Sequence, residues 1–252
     1  MKICILIPVY NHGEAIGIVL NGVLPSGIPV VLVDDGSNQE CAEKLDFLTR
    51  ENQKQVSLVR LPLNEGKGGA VMAGMRAAQE MGYSHVLQID ADGQHNTEDI
   101  SKFLETSRRY PRALICGCPV YDESIPRGRL YGRYATHIWV WINTLSLEIK
   151  DSMCGFRVYP LTPVMELISS IKIGRHMDFD VEILVRLHWQ GMSIVSIPTR
   201  VTYPLDGVSH FRLWEDNVRI SQMHAKLFFG MLLRLPRLLA RKIRGYSNLL
   251  SR

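Results

Sequence analysis

Short apolar runs and polar breaks alternate along the first half of the chain, and their lengths predict its elements. Residues 2–9 (KICILIPV), 29–33 (PVVLV), 56–61, 86–89 (VLQI) and 113–118 are mostly aliphatic runs, the pattern of strands covered on both faces. Helical spacing falls between them, over residues 13–24, 40–51, 70–81 and 97–109. The third of these helices is rich in small residues, fit for close packing on a sheet. The fourth opens at Asn96 or Thr97 as N-cap, with Glu98 and Asp99 in its first turn. This alternation predicts an α/β fold with a mainly parallel sheet and helices on both faces. Sheets of that kind bind ligands at the carboxyl ends of their strands. Tyr10-Asn11, Asp34-Asp35, residues 64–69 (NEGKGG) and residues 90–94 (DADGQ) each follow a predicted strand, so these polar clusters should meet on one edge.

The second half is less regular. Residues 121–133 (YDESIPRGRLYGR) are polar and carry Arg127, Arg129 and Arg133; a helix with Trp139 and Trp141 follows, to about residue 147. Residues 151–157 (DSMCGFR) lead into Val158-Tyr159. A helix is predicted over 178–190 with Gly191 at its C-cap, then a strand over 192–201. From residue 212 onward Leu227, Phe228, Met231, Leu232, Leu235, Leu238 and Leu239 recur at helical spacing among Arg234, Arg237, Arg241, Lys242 and Arg244. A basic amphipathic helix of this kind suits an anionic membrane surface, or else packs back on the domain with a solvated basic face. The expected division is a domain over 1–211 and a basic tail over 212–252.

Charge sharpens that division. The 252-residue chain is 46% hydrophobic and carries a formal charge of +4, but residues 212–252 hold nine Lys/Arg against two Asp/Glu, leaving the body at −3. A weakly acidic body argues against nucleic acid as partner of the main domain. The five cysteines lack zinc spacing, and Cys4 and Cys116 lie in apolar strands, as buried free thiols of a reducing cytoplasm do. The amino terminus enters a strand without a cleavable leader pattern, and no run of 18 apolar residues is present to span a membrane.

The sharpest chemical signal is Asp90-Ala91-Asp92 at the end of a buried strand. Two carboxylates this close repel unless a cation lies between them, and Mg²⁺ or Mn²⁺ suits oxygen ligands supplemented by water and phosphate. The alternative is an ordinary Asp/Gly turn.

Taken in order, IPVYN, VVLVDDGS, NEGKGGA, LQIDADGQH, DSMCGFRVY and FDVEILVRLHWQG resemble the family 2 glycosyltransferases of GT-A fold. Within these, residues 2–211 are similar to the dolichyl- or polyprenyl-phosphate mannose and glucose synthases. The resemblance implies an inverting transferase that moves a sugar from a UDP-, GDP- or dTDP-linked donor with Mg²⁺ or Mn²⁺. It implies Asp92 as the firmest metal ligand, with Asp90 and Gln94 beside it, or Asp90 on the ribose. Asp35, with Asp34, would hold the nucleoside, a role compatible with its also capping the following helix. Pro8, Tyr10 and Glu14 would line the base pocket, although His12 departs from the branch's PTYNE pattern. His210 in GVSHF stands where many GT-A enzymes place a late metal or phosphate ligand.

Among the cations, Lys67 could reach a phosphate from its Gly-rich loop, which lacks the Lys-Ser/Thr pair of a P-loop, or could be solvated in a turn. Arg133 and Arg157 offer bidentate forks for phosphate. Asp178, Asp180 and Glu182 decide the acceptor. A hydroxyl acceptor needs a general base, for which Asp180 or Asp178 is the candidate, whereas a lipid phosphate arrives ionised and needs none. In that case the carboxylates order a loop or pair with arginines such as Arg175, or simply favour a helix N-terminus.

The expectation is a metal-dependent glycosyltransferase, peripheral at the cytoplasmic membrane face, with a polyprenyl phosphate or other lipid-linked acceptor reached from the surface or with a membrane-protein partner. The competing readings are a transferase to a glycan or lipid hydroxyl and an inactive membrane-docking protein that binds sugar nucleotides. A nucleotidyltransferase is disfavoured, because PVYNHGE stands in place of its Gly-rich basic start.

Overall fold

The computed structural model describes residues 1–121, 127–202 and 212–250, with side chains described outside 121, 127–131 and 244–250. The apolar runs form strands β1 (Ile3–Val9), β2 (Val30–Asp35), β3 (Val56–Leu61), β4 (His85–Gln88), β5 (Leu114–Tyr121), β6 (Arg157–Pro160) and β7 (Ile194–Val201). The helices are α1 (Gly13–Val23), α2 (Gln39–Glu51), α3 (Lys67–Glu80), α4 (Ile100–Arg109), α5 (Arg127–Thr144), α6 (Leu161–Ser170), α7 (Phe179–Trp189) and α8 (Leu213–Leu250). Short 3₁₀ turns extend α1 and precede α4.

The seven strands form one sheet in the order β3-β2-β1-β4-β6-β5-β7. Neighbours run parallel except at β6, which is antiparallel to both β4 and β5. The other six strands therefore end on one edge, and β6 begins there. Strand side chains alternate between two cores. Cys4, Leu6, Val31 and Val33 face α3, α6 and α7 on one side. Ile5, Ile7, Val30 and Leu32 face α1, α2 and α4 on the other.

Several elements differ from the sequence reading. Helix α3 starts at Lys67, three residues before the expected 70, because Gly66 turns the chain at φ 85°. A Cβ there would run into the carbonyl of Arg175 and the ring of His176, so the position requires glycine on two counts. Helix α5 ends at Thr144 rather than near 147, where Leu145 takes a left-handed conformation. Helix α6 has no counterpart among the expected elements.

Helix α8 is part of the folded body. Met223 and Leu227 join the core that contains α7, and Met231 and Leu238 are buried on the same side. The packed-back alternative thus describes its inner face. Its cations divide between solvent and the protein, Lys226 and Arg237 being exposed. Arg234 stacks on Trp189 at 4.9 Å, Arg241 donates to the Trp189 carbonyl at 3.4 Å, and Lys242 donates to the Leu145 carbonyl at 3.3 Å. No described helix is long and apolar enough to cross a membrane. All five cysteines are free, and Cys4 and Cys116 are buried as expected.

Candidate active site

The polar clusters do meet at the carboxyl edge of the sheet. Leaving β1, Asn11 adopts φ 54°, donates its N–H to Ser37 Oγ at 3.1 Å and accepts the N–H of Asn38 on its Oδ1 at 2.8 Å. This ties the β1 exit to the β2 exit. Asn38 caps α2 by accepting the Cys41 N–H at 2.9 Å, so the capping role considered for Asp35 belongs to Asn38.

Asp34 and Asp35 are both buried. Asp34 accepts from Arg60 Nε and the Ser37 N–H, both at 2.9 Å. Asp35 holds the next loop, accepting the Glu65 N–H at 2.7 Å, the Gly66 N–H at 3.0 Å and Asn64 Nδ2 at 3.1 Å. Burial pushes the Asp35 carboxyl up to about 6, against the pull of those two N–H groups. Pro8 lies near the end of β1 and Tyr10 just beyond it, both half-buried, while Glu14 is exposed in the first turn of α1.

Lys67, the first residue of α3, is half-buried between two carboxylates. Its Nζ lies 2.8 Å from Asp90 Oδ2 and 2.8 Å from Asp180 Oδ2. Burial alone would favour the neutral amine, but the charges of Asp180 and Asp90 outweigh it and raise the Lys67 pKa. Burial would likewise raise that of Asp90, yet Lys67 and His95 hold it well below the usual carboxylate range. Gln88 adds a contact from Nε2 to Asp90 Oδ1 at 3.4 Å, and its own Oε1 is buried without a hydrogen bond.

Asp92 is half-buried and accepts the Gln94 N–H at 3.0 Å. The loop is fixed to the end of β7, where the Gln94 carbonyl accepts the Thr202 N–H at 3.1 Å and His95 bridges to Val201. Asp90, Asp92 and the Gln94 side chain offer only oxygen to a hard cation. Among the described residues no three His, Cys, Asp or Glu side chains converge as a metal cage. A two-carboxylate seat fits Mg²⁺ or Mn²⁺, which take the rest of their shell from water and phosphate. His210 lies outside the described residues, as do the side chains of Arg127 and Arg129.

The segment before β6 closes over this seat. A Cβ on Gly155 would fall on the Asp90 carboxylate, so only glycine lets the chain pass there. Asp151 organises the segment by accepting the N–H groups of Met153 at 2.9 Å and Cys154 at 2.7 Å. It also takes a bidentate pair from Arg133 at 2.7 and 2.8 Å and lies 3.3 Å from His137 Nε2. Arg133 is thus tied to the 151–154 segment, its guanidinium braced by a buried carboxylate.

Arg157 is corrected by the structure. Expected against a phosphate, it is wholly buried. It donates to the carbonyls of Cys154 (2.8 Å), Ser152 (2.8 Å) and Asp180 (2.7 Å). It stands behind the site and holds the 151–156 segment to α7.

The three acids of α7 separate. Asp178 accepts the His176 N–H at 3.1 Å and Glu182 accepts the Gly174 N–H at 2.8 Å, so both order the loop before the helix. Glu182 pairs with Arg186 at 2.6 Å, and Arg175 pairs instead with Glu65 at 2.9 Å. Asp180 alone of the three reaches Lys67. Sequence reasoning missed Gln88, His95, Asp151 and His137. A glutamine and an aspartate inside or beside buried strands were visible signals; the two histidines carried none.

Similarity to known proteins agrees with this architecture. The chain is 28% identical over 211 residues to an undecaprenyl-phosphate mannosyltransferase of Micrococcus luteus, covering 79% of this chain and 82% of that protein. It is 24% identical over 228 residues to a polyprenol monophosphomannose synthase of Mycolicibacterium smegmatis, covering 85% and 82%. Over 206 residues it is 27% identical to the human dolichyl-phosphate beta-glucosyltransferase, covering 73% and 62%. The fold superposes on glucosyl-3-phosphoglycerate synthase of Mycobacterium tuberculosis, crystallised with Mn²⁺, UDP-glucose and phosphoglyceric acid. The TM-score is 0.64 at 14% identity, covering 91% and 79% of the two chains. The family model "Glycosyl transferase family 2" matches residues 4–162, from β1 through the carboxylate edge to the start of α6. With its strands, its edge of acids and its relatives in agreement, the chain belongs to glycosyl transferase family 2 and is a glycosyltransferase of GT-A fold.

Proposed function

We propose that the enzyme transfers a hexosyl group, with inversion, from a nucleoside diphosphate sugar to a polyprenyl phosphate at the cytoplasmic face of a membrane. The observation that carries the acceptor class is the state of Asp180. This carboxylate is buried, and its Oδ2 is held by the Lys67 ammonium at 2.8 Å. With Oδ2 committed to that ammonium, this oxygen is not free to meet an acceptor hydroxyl as a general base must. An acceptor that is already an anion asks for no base, only for cations and exclusion of water. Three relatives carry a polyprenyl or dolichyl phosphate in their names, in keeping with this choice.

On this reading Pro8, Tyr10 and Glu14 line the base, Asp35 fixes the 64–66 loop that flanks the nucleoside, and Asp34 braces the end of β2 beside it. Asp92, Asp90 and Gln94 would hold Mg²⁺ or Mn²⁺, which supplies charge to the departing diphosphate when bound. An acceptor phosphate oxygen attacks the anomeric carbon from the side opposite the diphosphate. The new carbon–oxygen bond forms as the old one breaks, and no proton changes hands. Arg133, braced by Asp151, supplies positive charge to a phosphate, and Lys67 keeps the Asp90 carboxylate ionised and in place. The donor is a UDP-, GDP- or dTDP-sugar.

A hydroxyl acceptor is the second reading, and it draws on one fact: Asp180 Oδ1 is buried without a hydrogen bond. The two are separated by supplying each donor with polyprenyl phosphate or with the polyprenol of the same chain length. Glycosylation of the phosphate and none of the alcohol is the expected result. Transfer to the alcohol at a comparable rate would move the assignment to the hydroxyl and to Asp180 as base.

A further inference from the structure

Helix α8 is apolar on two opposite sides, and only one of them is used by the fold. At about 100° per residue, Met223, Leu227, Met231 and Leu238 fall on one side and are buried. Trp214, Val218, Phe229, Leu232 and Leu239 fall on the other and are exposed. Phe229 is 65% exposed and its neighbour Leu233 is 84% exposed. Helix α5 lies against α8 and extends this surface, with Trp139 edge-on to Phe228 at 6.3 Å. Its Tyr134, Ile138 and Ile142, spaced i, i+4, i+8, are exposed as well. Soluble monomers rarely leave so long an apolar strip bare.

We propose that this outer face of α8 and α5 lies in the interfacial layer of an anionic lipid membrane, held mainly by its apolar side chains. Two observations choose lipid over a second copy of the chain. The first is charge. Residues 212–252 carry a net +7, and Lys226 and Arg237 are exposed beside the strip. Anionic headgroups complement these cations, whereas a two-fold pairing of the same face would set them against themselves. The second is continuity with the site. Arg133 sits on α5 directly before Tyr134, so one helix carries both a site cation and the start of the apolar strip. Tyr134 and Ile142 are eight residues apart, roughly 12 Å along the axis. A lipid phosphate could therefore meet Arg133 while its chain stays in the bilayer; this clause rests on the acceptor proposed above.

The structure also assigns a lesser part to the tail's cations than their number suggests, since Arg234, Arg241 and Lys242 contact the protein itself. The test is flotation of the full chain with vesicles of phosphatidylcholine alone or mixed with phosphatidylglycerol, comparing wild type, the Phe229→Ser/Leu233→Ser pair and the Lys226→Ala/Arg237→Ala pair. Wild type should float with the mixed vesicles. The apolar pair should weaken partitioning at least tenfold at every salt concentration, and the cation pair should weaken it severalfold at low salt only. Donor consumption with a short-chain, detergent-soluble polyprenyl phosphate should be the same in all three proteins. Unchanged flotation of the apolar pair would overturn the proposal. So would a wild type that stays off vesicles and sediments as a dimer dissociated by those two substitutions. Wild type that floats but never uses the soluble phosphate would instead overturn the acceptor reading and leave the membrane face standing.

Discussion

Lys67 and Arg133 are each held by buried or half-buried carboxylates, so at the residue scale the site is a set of fixed charges. This separates residues whose loss harms chemistry from those whose loss harms folding. Asp92 has few structural ties, its one described hydrogen bond being to the Gln94 N–H. Asp92→Ala should cut turnover by about 10²-fold or more and shift stability by less than about 1 kcal/mol. Turnover assays with and without EDTA, alongside urea unfolding, check both halves; full activity in excess EDTA would remove the metal. Asp151 is the opposite case. Burial would raise its pKa, but His137 and Arg133 outweigh that and hold it well below the usual carboxylate range. A depressed carboxyl binds fewer protons folded than unfolded, so its contribution is complete above about pH 4 and fades as pH falls further. Asp151→Asn should lose about 3 kcal/mol at pH 7, where the buried carboxylate no longer offers its charge to Arg133 and His137, and should unfold less steeply between pH 4 and 2. Urea midpoints measured across that range test the sign.

At the scale of elements, the site depends on how the segment before β6 meets the end of β4. Because β6 runs antiparallel to β4, its first residue, Arg157, lies opposite Gln88, the last residue of β4. That brings Gly155 against Asp90. Gly155→Ala should displace the carboxylate, lowering turnover at least tenfold while the melting temperature falls by only a few degrees. Steady-state kinetics paired with thermal unfolding decide the point, and wild-type turnover in the alanine variant would show that the loop yields freely. The antiparallel order itself was not legible beforehand. Residues 157–160 form a strand of only four residues, and nothing in RVYP states its direction.

For the whole molecule the consequential element is α8. Its inner row completes a core shared with α7, so the tail is not a detachable anchor. A chain ending at residue 211 should expose that apolar seam, melt at least several degrees lower and aggregate. Calorimetry and light scattering would reveal this, and an equally stable, monodisperse truncated protein would mean that α8 contributes nothing to the body. The length of the helix and its apolar spacing were legible in the sequence. Its docking side was not, because periodicity finds two apolar faces and only the complementary surface of α5 and α7 selects one.

The sequence by itself determined the strands, since uninterrupted runs such as ICILIPV and VVLV are stable only when covered on both faces. It also determined that the acids of residues 34–35 and 90–92 share one edge, because a right-handed β-α-β chain returns each strand in the same direction. The tertiary structure decided what each charge does. Lys67 meets Asp180 across 113 residues and Asp90 across 23, and Arg133 meets Asp151 across 18. It also turned Arg157 from a candidate phosphate ligand into a buried brace and drew Arg234, Arg241 and Lys242 onto the protein. The physical reason is common to all of these. Apolar burial is non-directional and can be read from composition along a segment, whereas a charged side chain takes its role from the partner and the solvent around it, which only the folded chain supplies.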